Sequence, residues 1–285
     1  GFPPVPPNFE TVEEISANKP STQVLYIESN QALFGGVGYD PARTDFRLED
    51  SLILAGRVKK GMAPFPYWKR GLDSYLQILG LVDQQIGRVM EALSPELRSN
   101  TVVVFVSDHG DYCGSHGMLQ GKEGNVYEKT LRVPLVVRDF TGRYAADAEI
   151  MRNQLSSSID LMPFLVTLGN GGSSSWIQGD LATLYGSRHD LLNIVRDRNA
   201  VGCEYAVYIT DEYVNPLLNF NGAPTHILAL MQANTKLGLY GHWVNHTVQL
   251  SPLGRELEFY DHSTPSGKLE LDNEPGDPRV PPSLN

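Results

Sequence analysis

Several side chains suited to metal binding or acid–base chemistry lie between positions 108 and 122 of the sequence. Among them, Asp108 and His109 come just after the apolar stretch VVVFV at 102–106, and His116 and Lys122 lie farther along. Carboxylates and imidazoles are metal donors, and a lysine ammonium can bind an anion. The pattern therefore indicates a site for a divalent cation and an anionic group, with Asp108 and His109 as candidate metal ligands.

Each of these residues also has an ordinary structural interpretation. Asp108 could cap the next turn beside an exposed His109. Lys122 could be a solvated loop residue, and His116 could be a proton donor or a plain loop histidine. Cys113 lies among them, but no basic pair or helix N-terminus clearly activates it, so an inert thiol is expected. The residues alone leave these alternatives open.

The elements around this stretch follow an α/β pattern. Apolar residues recur at three- and four-residue spacing over 67–93, which predicts an amphipathic helix. The stretch 101–106 is apolar on both faces, as in a buried parallel strand, and 132–138 predicts a second strand. A further helix is predicted over 157–170, with Asp160 as its N-cap. Ligands bind at the carboxyl ends of parallel strands in such sheets, which is where Asp108 falls.

The pattern changes near the C-terminus. Strand-like segments recur after about residue 200, at 205–210, 226–232, 236–244 and 257–262. A hairpin-like turn separates the second of them from the third, so a small antiparallel sheet is predicted.

Composition excludes several classes of function. The chain has 23 Lys and Arg against 33 Asp and Glu, a net charge of −10, and no basic cluster, so a nucleic-acid surface is not expected. No apolar run approaches the roughly 18 residues of a membrane span. Two cysteines exclude a disulfide scaffold and a multi-cysteine zinc site. Because the chain is negatively charged overall, an anionic substrate would need a metal ion or a few cationic side chains at its binding site.

The stretch VVVFVSDHGDYCGSHGMLQGKEGNVYEKTLRVPLVVR closely resembles the sulfatase family of the alkaline-phosphatase superfamily. Members of that family carry a strand ending in T/S-S-D-H/N-G, an E/D-H-G-like turn, a G-K lysine, and then Y-E and R-V-P-L. YLQILGLVDQQIGRVMEAL before it and SSIDLMPFLVTLGN after it are also similar to family segments. The resemblance covers roughly residues 64–270.

The resemblance implies an alkaline-phosphatase-like α/β fold, with a mostly parallel sheet flanked by helices and incomplete at the N-terminus, and a small C-terminal antiparallel α+β domain. Residues 1–178 would be the C-terminal part of the catalytic domain. Residues 179–285 would be the small C-terminal sheet domain.

The resemblance also implies roles for the site residues. Asp108 and His109 match the second pair of metal ligands, and Lys122 matches the lysine that contacts the sulfate. His116 matches a common but not universal position. The metal is expected to be calcium, although a histidine ligand keeps manganese or zinc open. The implied reaction is hydrolysis of a small-molecule or saccharide sulfate ester by a formylglycine nucleophile.

The sequence departs from the family at the nucleophile. Neither Cys113 nor Cys203 lies in the motif C-x-P/A-x-R, and the tandem Asp pair and a further histidine of the family are absent. We therefore expect a C-terminal portion of a sulfatase-like protein, inactive by itself, whose missing N-terminal half carries the nucleophile. The alternatives are a phosphonate monoester or phosphodiester hydrolase on the same scaffold and a noncatalytic metal-binding protein.

Overall fold

The structure, a computed structural model, describes residues 2–51, 53, 59–145, 150–212 and 222–284. Its helices are α1 Val12–Asn18, α2 Ser21–Phe34, α3 Tyr67–Ala92, α4 Pro95–Arg98, α5 Glu128–Leu131, α6 Leu161–Gly169, α7 Asp180–Tyr185, α8 Leu191–Arg196 and α9 Pro265–Leu269. Its strands are β1 Gly36–Val37, β2 Arg47–Asp50, β3 Lys59–Ala63, β4 Val102–Val106, β5 Leu135–Asp139, β6 Ala206–Asp211, β7 His226–Met231, β8 Thr235–Gly241 and β9 Glu256–Asp261.

The strand that leads to Asp108 is β4, and its neighbour runs in the opposite direction. β4 pairs antiparallel with β5, with Val104 opposite Val137. Among the described strands only β1 and β3 pair in parallel, so the expected mostly parallel sheet is not found there. The physical reason is that apolar residues on both faces of a strand carry no information on the direction of its neighbour. The predicted burial is wrong too, because β4 is only half-buried and its residues Phe105 and Val106 are exposed.

The helix predicted over 67–93 is confirmed as α3, but most of its apolar stripe lies exposed. Only Trp68 and Leu72 near its start are buried. Farther along, four stripe residues are between 47% and 66% exposed in the described structure: Leu76, Leu79, Val82 and Val89. Within the described ranges, no helix is long and apolar enough to cross a membrane.

The segment before α3 holds structure that the sequence did not predict. The first 20 residues are Pro-rich, yet α1 forms within them, at Val12–Asn18. Its N-cap Thr11 and Glu14 form a reciprocal capping box, which satisfies two backbone N–H groups. α2 follows directly, and β1, β3 and β2 form a small sheet beside it.

Asp160 lies at the N-cap position of α6, as predicted, but it does not cap the helix. Its carboxylate accepts the backbone N–H groups of Ser157 and His189 instead. It therefore links the start of α6 to the segment before α8, a contact that the local sequence could not indicate.

The four C-terminal strands are confirmed and form one antiparallel sheet in the order β6-β7-β8-β9. The sheet packs against α2. Gln23 on that helix donates to the Tyr240 hydroxyl of β8 at 3.0 Å, and Thr22 donates to the carbonyl of Pro224 before β7. The division into domains at 178/179 stays a prediction.

A buried ion pair anchors this sheet to the chain after β4. The Lys236 ammonium on β8 is fully buried, 2.6 Å from Glu270 Oε1 and 2.6 Å from Glu128 Oε1. It also donates to the carbonyl of Val126 at 2.9 Å. All three donor hydrogens are thus used, which a buried ammonium requires because its desolvation costs several kcal/mol.

A second buried carboxylate, Glu258 on β9, lies beside the first. Its two oxygens accept the hydroxyls of Tyr240 and Tyr260, each at 2.5 Å, and both lie 3.1 Å from Gln23 Nε2. Burial raises the pKa of Glu258. Lys19 donates to the Tyr260 hydroxyl at 3.1 Å, so the N-terminal helices and the C-terminal sheet share one polar interior.

Replacing Lys236 with Met should destabilise the protein strongly. The side chain keeps its length, but the carboxylates of Glu128 and Glu270 lose their buried cation, which costs about 3–5 kcal/mol in comparable cases. Urea denaturation would measure the free energy of unfolding. Lys268→Met, at an exposed position on α9, is the matched control. A loss of less than about 1 kcal/mol in Lys236→Met would show that the pair is dispensable.

Candidate metal and anion site

The end of β4 turns sharply and presents two metal donors. The Ser107 hydroxyl donates to the carbonyl of His109 at 2.7 Å, and the His109 backbone N–H donates to Asp108 Oδ1 at 2.9 Å. These local hydrogen bonds close the turn directly after the strand. Asp108 and His109 therefore leave the strand end as neighbouring, solvent-facing side chains.

Their donor atoms fit a shared cation. His109 Nε2 lies 3.5 Å from Asp108 Oδ2, and the two side chains are 41% and 84% exposed. Two ligands about 2.0–2.6 Å from one ion in octahedral geometry are roughly 3–3.5 Å apart. His109 Nδ1 lies 2.7 Å from the carbonyl of Gly110, which leaves Nε2 as the outward nitrogen. The geometry of the pair is thus compatible with two donors to one cation.

Gly110 is required here because the backbone of Lys129 and Thr130 approaches it too closely for a side chain. Its N–H donates to the carbonyl of Thr130 at 2.9 Å, and a Cβ at this position would lie 1.9 Å from the carbonyl oxygen of Lys129. Any side chain would push the two segments apart. The glycine therefore seats the turn against the start of α5.

Lys122 lies in a loop that is fixed at both ends. Asp111 Oδ2 accepts the N–H of Gly121 at 3.2 Å, just before the lysine. Asn125 Nδ2 donates to the carbonyl of Lys122 at 2.7 Å, just after it. The Lys122 side chain itself is exposed. The backbone is thus held while the ammonium remains open to solvent or a ligand.

The charges of His109 and Lys122 act on the Asp108 carboxylate. The pKa of Asp108 lies below its usual value, first because the His109 N–H donates to the carboxylate, and also because the charges of His109 and Lys122 lower it. Asp111 differs, since burial raises its pKa. Asp108 and His109 are therefore neighbours on one exposed surface, and the charge of Lys122 also acts on Asp108.

His116 lies elsewhere, in the interior behind the loop. It is 1% exposed and stacks on Tyr127 with a centroid distance of 3.5 Å. Its Nδ1 lies 2.5 Å from Glu10 Oε2 and its Nε2 lies 3.2 Å from Asn8 Nδ2. Both ring nitrogens have protein partners, so the geometry gives His116 no free nitrogen for a leaving group and ties the loop to the N-terminal segment.

The cysteine beside the site has the properties of an inert thiol. Burial raises the pKa of Cys113, and the Asp111 carboxylate raises it further. A protonated thiol is a poor nucleophile. The backbone N–H of Cys113 donates to Asp111 Oδ1 at 3.0 Å, so its role in the structure is local.

A second group of possible metal ligands already holds a cation of the chain. Glu128, His262 and Glu270 offer donor atoms within 4.8 Å of one another. The Lys236 ammonium bonds to both carboxylates of this group. A metal ion would have to displace a fully buried lysine, so these residues form a polar core.

Sequence reasoning missed the residues that hold the Lys122 loop. Asp111 gave a weak signal, as the second aspartate of SDHGD, and Asn125 gave none. Glu212, at the end of β6, accepts the N–H of Gly124 at 3.2 Å. Its separation from the loop in sequence left no pattern that could have identified it.

Comparison with known proteins shows the family to which the chain belongs. A profile of the family described as Sulfatase matches residues 3–171, more than half of the chain. The chain is 38% identical over 97 residues to the uncharacterized sulfatase YidJ of Escherichia coli, covering 34% of this chain and 18% of that protein. It is 27% identical over 147 residues to an arylsulfatase of Clostridium perfringens, covering 51% and 28%. The matched segments thus span 18% and 28% of these relatives.

A solved structure shares the fold. It is described as BT4656 in complex with its substrate D-glucosamine-2-N,6-O-disulfate. The TM-score is 0.50 at 22% sequence identity, covering 69% of this chain and 34% of that one. At this identity the likeness concerns the fold alone.

The buried Glu270 should make stability depend on acid pH. Burial alone would raise its pKa, but Lys236, His262 and the Glu128 N–H lower it to about 2, against an ordinary 4.5. A carboxyl group whose folded pKa is lowered stabilises the fold above its unfolded pKa, and that contribution is lost as pH falls from about 4.5 to about 2.

Urea denaturation of wild type and Glu270→Gln at several pH values would measure this contribution. The wild type should exceed the variant in free energy of unfolding at pH 6, and the difference should shrink below about pH 4.5. A difference that is constant across this range would contradict the assignment.

Proposed function

The chain belongs to the sulfatase family of the alkaline-phosphatase superfamily, and we propose that it forms part of a sulfate ester hydrolase. One observation supports the proposal: Asp108 Oδ2 and His109 Nε2 lie 3.5 Å apart and exposed at the turn after β4, and Lys122 is exposed in the loop that follows. A divalent cation and a lysine ammonium on one surface can both bind the oxygens of a compact anionic ester group, such as a sulfate.

Asp108 Oδ2 and His109 Nε2 are the proposed metal ligands. A bound divalent cation would polarise the ester oxygens and favour an ionised nucleophile. Calcium agrees with the carboxylate, while the imidazole nitrogen keeps manganese and zinc open. The lowered pKa of Asp108 keeps its carboxylate ionised, as a metal ligand must be, well below neutral pH.

Lys122 is proposed to bind the sulfate oxygens. Its ammonium is exposed, and its backbone is fixed by Asn125 and, through Gly121, by Asp111. A cation that is already in place stabilises the charge that develops on the sulfuryl oxygens without reorganisation at the moment of reaction. Asp111 and Asn125 act through the loop and are positioning residues in this scheme.

The nucleophile is proposed to come from a segment outside this chain. No match to C-x-P/A-x-R occurs in the sequence, and Cys113 is poorly suited to nucleophilic attack. Exposed apolar residues on β4 and β5 support a further packed segment: Phe105, Val106, Leu135 and Val136. With two metal donors and no nucleophile, the 285-residue chain alone should hydrolyse neither aryl sulfates nor phosphonates.

The proposed substrate is a sulfated saccharide or a small sulfate ester. A saccharide fits the family, since the solved relative was described with a sulfated glucosamine. A phosphonate or phosphodiester is the second candidate, and the imidazole donor of His109 is the observation that favours it. Rates on matched aryl sulfate and aryl phosphonate substrates would separate the two.

Replacing Asp108 with Ala in the complete protein should remove most bound metal and lower activity by about 100-fold or more, because a charged ligand is lost. His109→Ala should lose less if the metal prefers oxygen. Elemental analysis of the purified proteins measures metal per chain. Asp83→Ala, at an exposed site on α3, is the matched control. Full metal content in Asp108→Ala would disprove the ligand assignment.

Replacing Lys122 with Ala should lower kcat/KM for an aryl sulfate by roughly 100-fold or more, because a positioned cation acts on transition-state charge. The melting temperature should stay unchanged, since the side chain is exposed. Lys69→Ala on α3 is the control, and the 285-residue chain alone is the blank. Turnover within a few-fold of wild type would show that Lys122 is a solvated loop residue.

A further inference from the structure

We propose that Glu212, at the end of β6, is a positioning residue that holds the Lys122 loop from the C-terminal sheet. The proposal rests on the function proposed above, because it assigns Glu212 a role only through Lys122. Through this contact the C-terminal sheet would help to position the lysine that binds the anion.

The first support is a direct contact with the loop. Glu212 Oε1 accepts the backbone N–H of Gly124 at 3.2 Å, two residues after Lys122. The same carboxylate is hydrogen-bonded to the Tyr26 hydroxyl on α2. One side chain therefore joins the loop to β6 and to α2.

The second support is the tight geometry at Gly124. Its φ is +78°, in the left-handed region that favours glycine. A Cβ there would lie 2.2 Å from Cδ2 of the Tyr26 ring. The loop backbone thus passes directly under Tyr26, and the hydrogen bond to Glu212 fixes it at that point.

The third support is that the residues that hydrogen-bond to the Lys122 loop come from different parts of the chain. Asp111 and Asn125 belong to the same stretch of chain as Lys122, so they hold the loop to itself and to the β4 turn. Glu212 belongs to the sheet, and it orients the loop relative to the rest of the fold. Burial raises the pKa of Glu212, while the Gly124 N–H and the charge of Lys122 lower it.

Positioning of this kind has a measurable effect on rate. A displacement of about 1 Å in a group that binds the reacting part of a substrate can cost on the order of 100-fold. Loss of one of several anchors should cost less, about tenfold.

The kinetic test uses two substitutions in two backgrounds of the complete protein. Glu212→Gln keeps an acceptor for the Gly124 N–H, and kcat for an aryl sulfate should stay within about threefold of wild type. Glu212→Leu removes the acceptor and should lower kcat about tenfold. Glu204→Gln, an exposed position shortly before β6, is the control.

The same Glu212→Leu change should have no further effect in a Lys122→Ala background, since the two residues act as one unit. An equal loss in both backgrounds would overturn the proposal, because it would mean that Glu212 supports the fold in general. An unchanged kcat in Glu212→Leu would overturn it too.

A second measurement does not depend on turnover. Hydrogen exchange of residues 121–125 and tryptic cleavage after Lys122 should both increase in Glu212→Leu and remain as in wild type in Glu212→Gln and Glu204→Gln. Unchanged exchange and cleavage in Glu212→Leu would overturn the inference whatever the activity. A loosened loop in a protein that hydrolyses no sulfate ester would instead support the loop contact and overturn the proposed function.

Discussion

The buried pair of Lys236 and Glu270 is the interaction on which the arrangement of the structure depends. Glu270 adopts φ +58°, a left-handed conformation that is costly for a residue with a side chain. It is held by bonds from three directions, since its carboxylate binds Lys236 and the Glu128 N–H, and its carbonyl accepts the Lys19 ammonium. Two buried cations and the chain after β4 therefore meet at one residue. A hydrophobic replacement would fill the space, but it would not specify which segments meet there.

This polar interior explains how an exposed site can be well ordered. The loop between β4 and α5 has one side against solvent, where Asp108, His109 and Lys122 lie. Its other side faces the interior, where the Tyr127 hydroxyl donates to Gln23 and its ring stacks on His116. The interior face supplies the rigidity, so the outer face is free to carry exposed charged groups. The same loop therefore carries the candidate site on its exposed face and packs against the interior with its other face.

Much of the local structure could be predicted because its signals are local. The periodic spacing of α3, the alternation in the C-terminal strands and the turn after β4 each lie within a few residues in sequence. The direction of β5 and the burial of His116 could not be predicted in this way. His116 is indistinguishable in sequence from an exposed loop histidine, and its partner Glu10 lies 106 positions away. Apolar residues on α3 predicted a helix correctly, but they did not indicate that much of the stripe would be exposed.

The sequence by itself determined the chemistry available after β4, the identity of the main elements and the resemblance to sulfatases, since each depends on residue types at short spacing. Only the tertiary structure decided which of those residues share a surface. It left Asp108 Oδ2 and His109 Nε2 3.5 Å apart on an exposed surface, left Lys122 exposed and buried His116. It also brought Glu212 to the loop from 88 positions away. Contacts of this range are set by how helices and sheets pack, because no spacing along the chain encodes the distance between their surfaces.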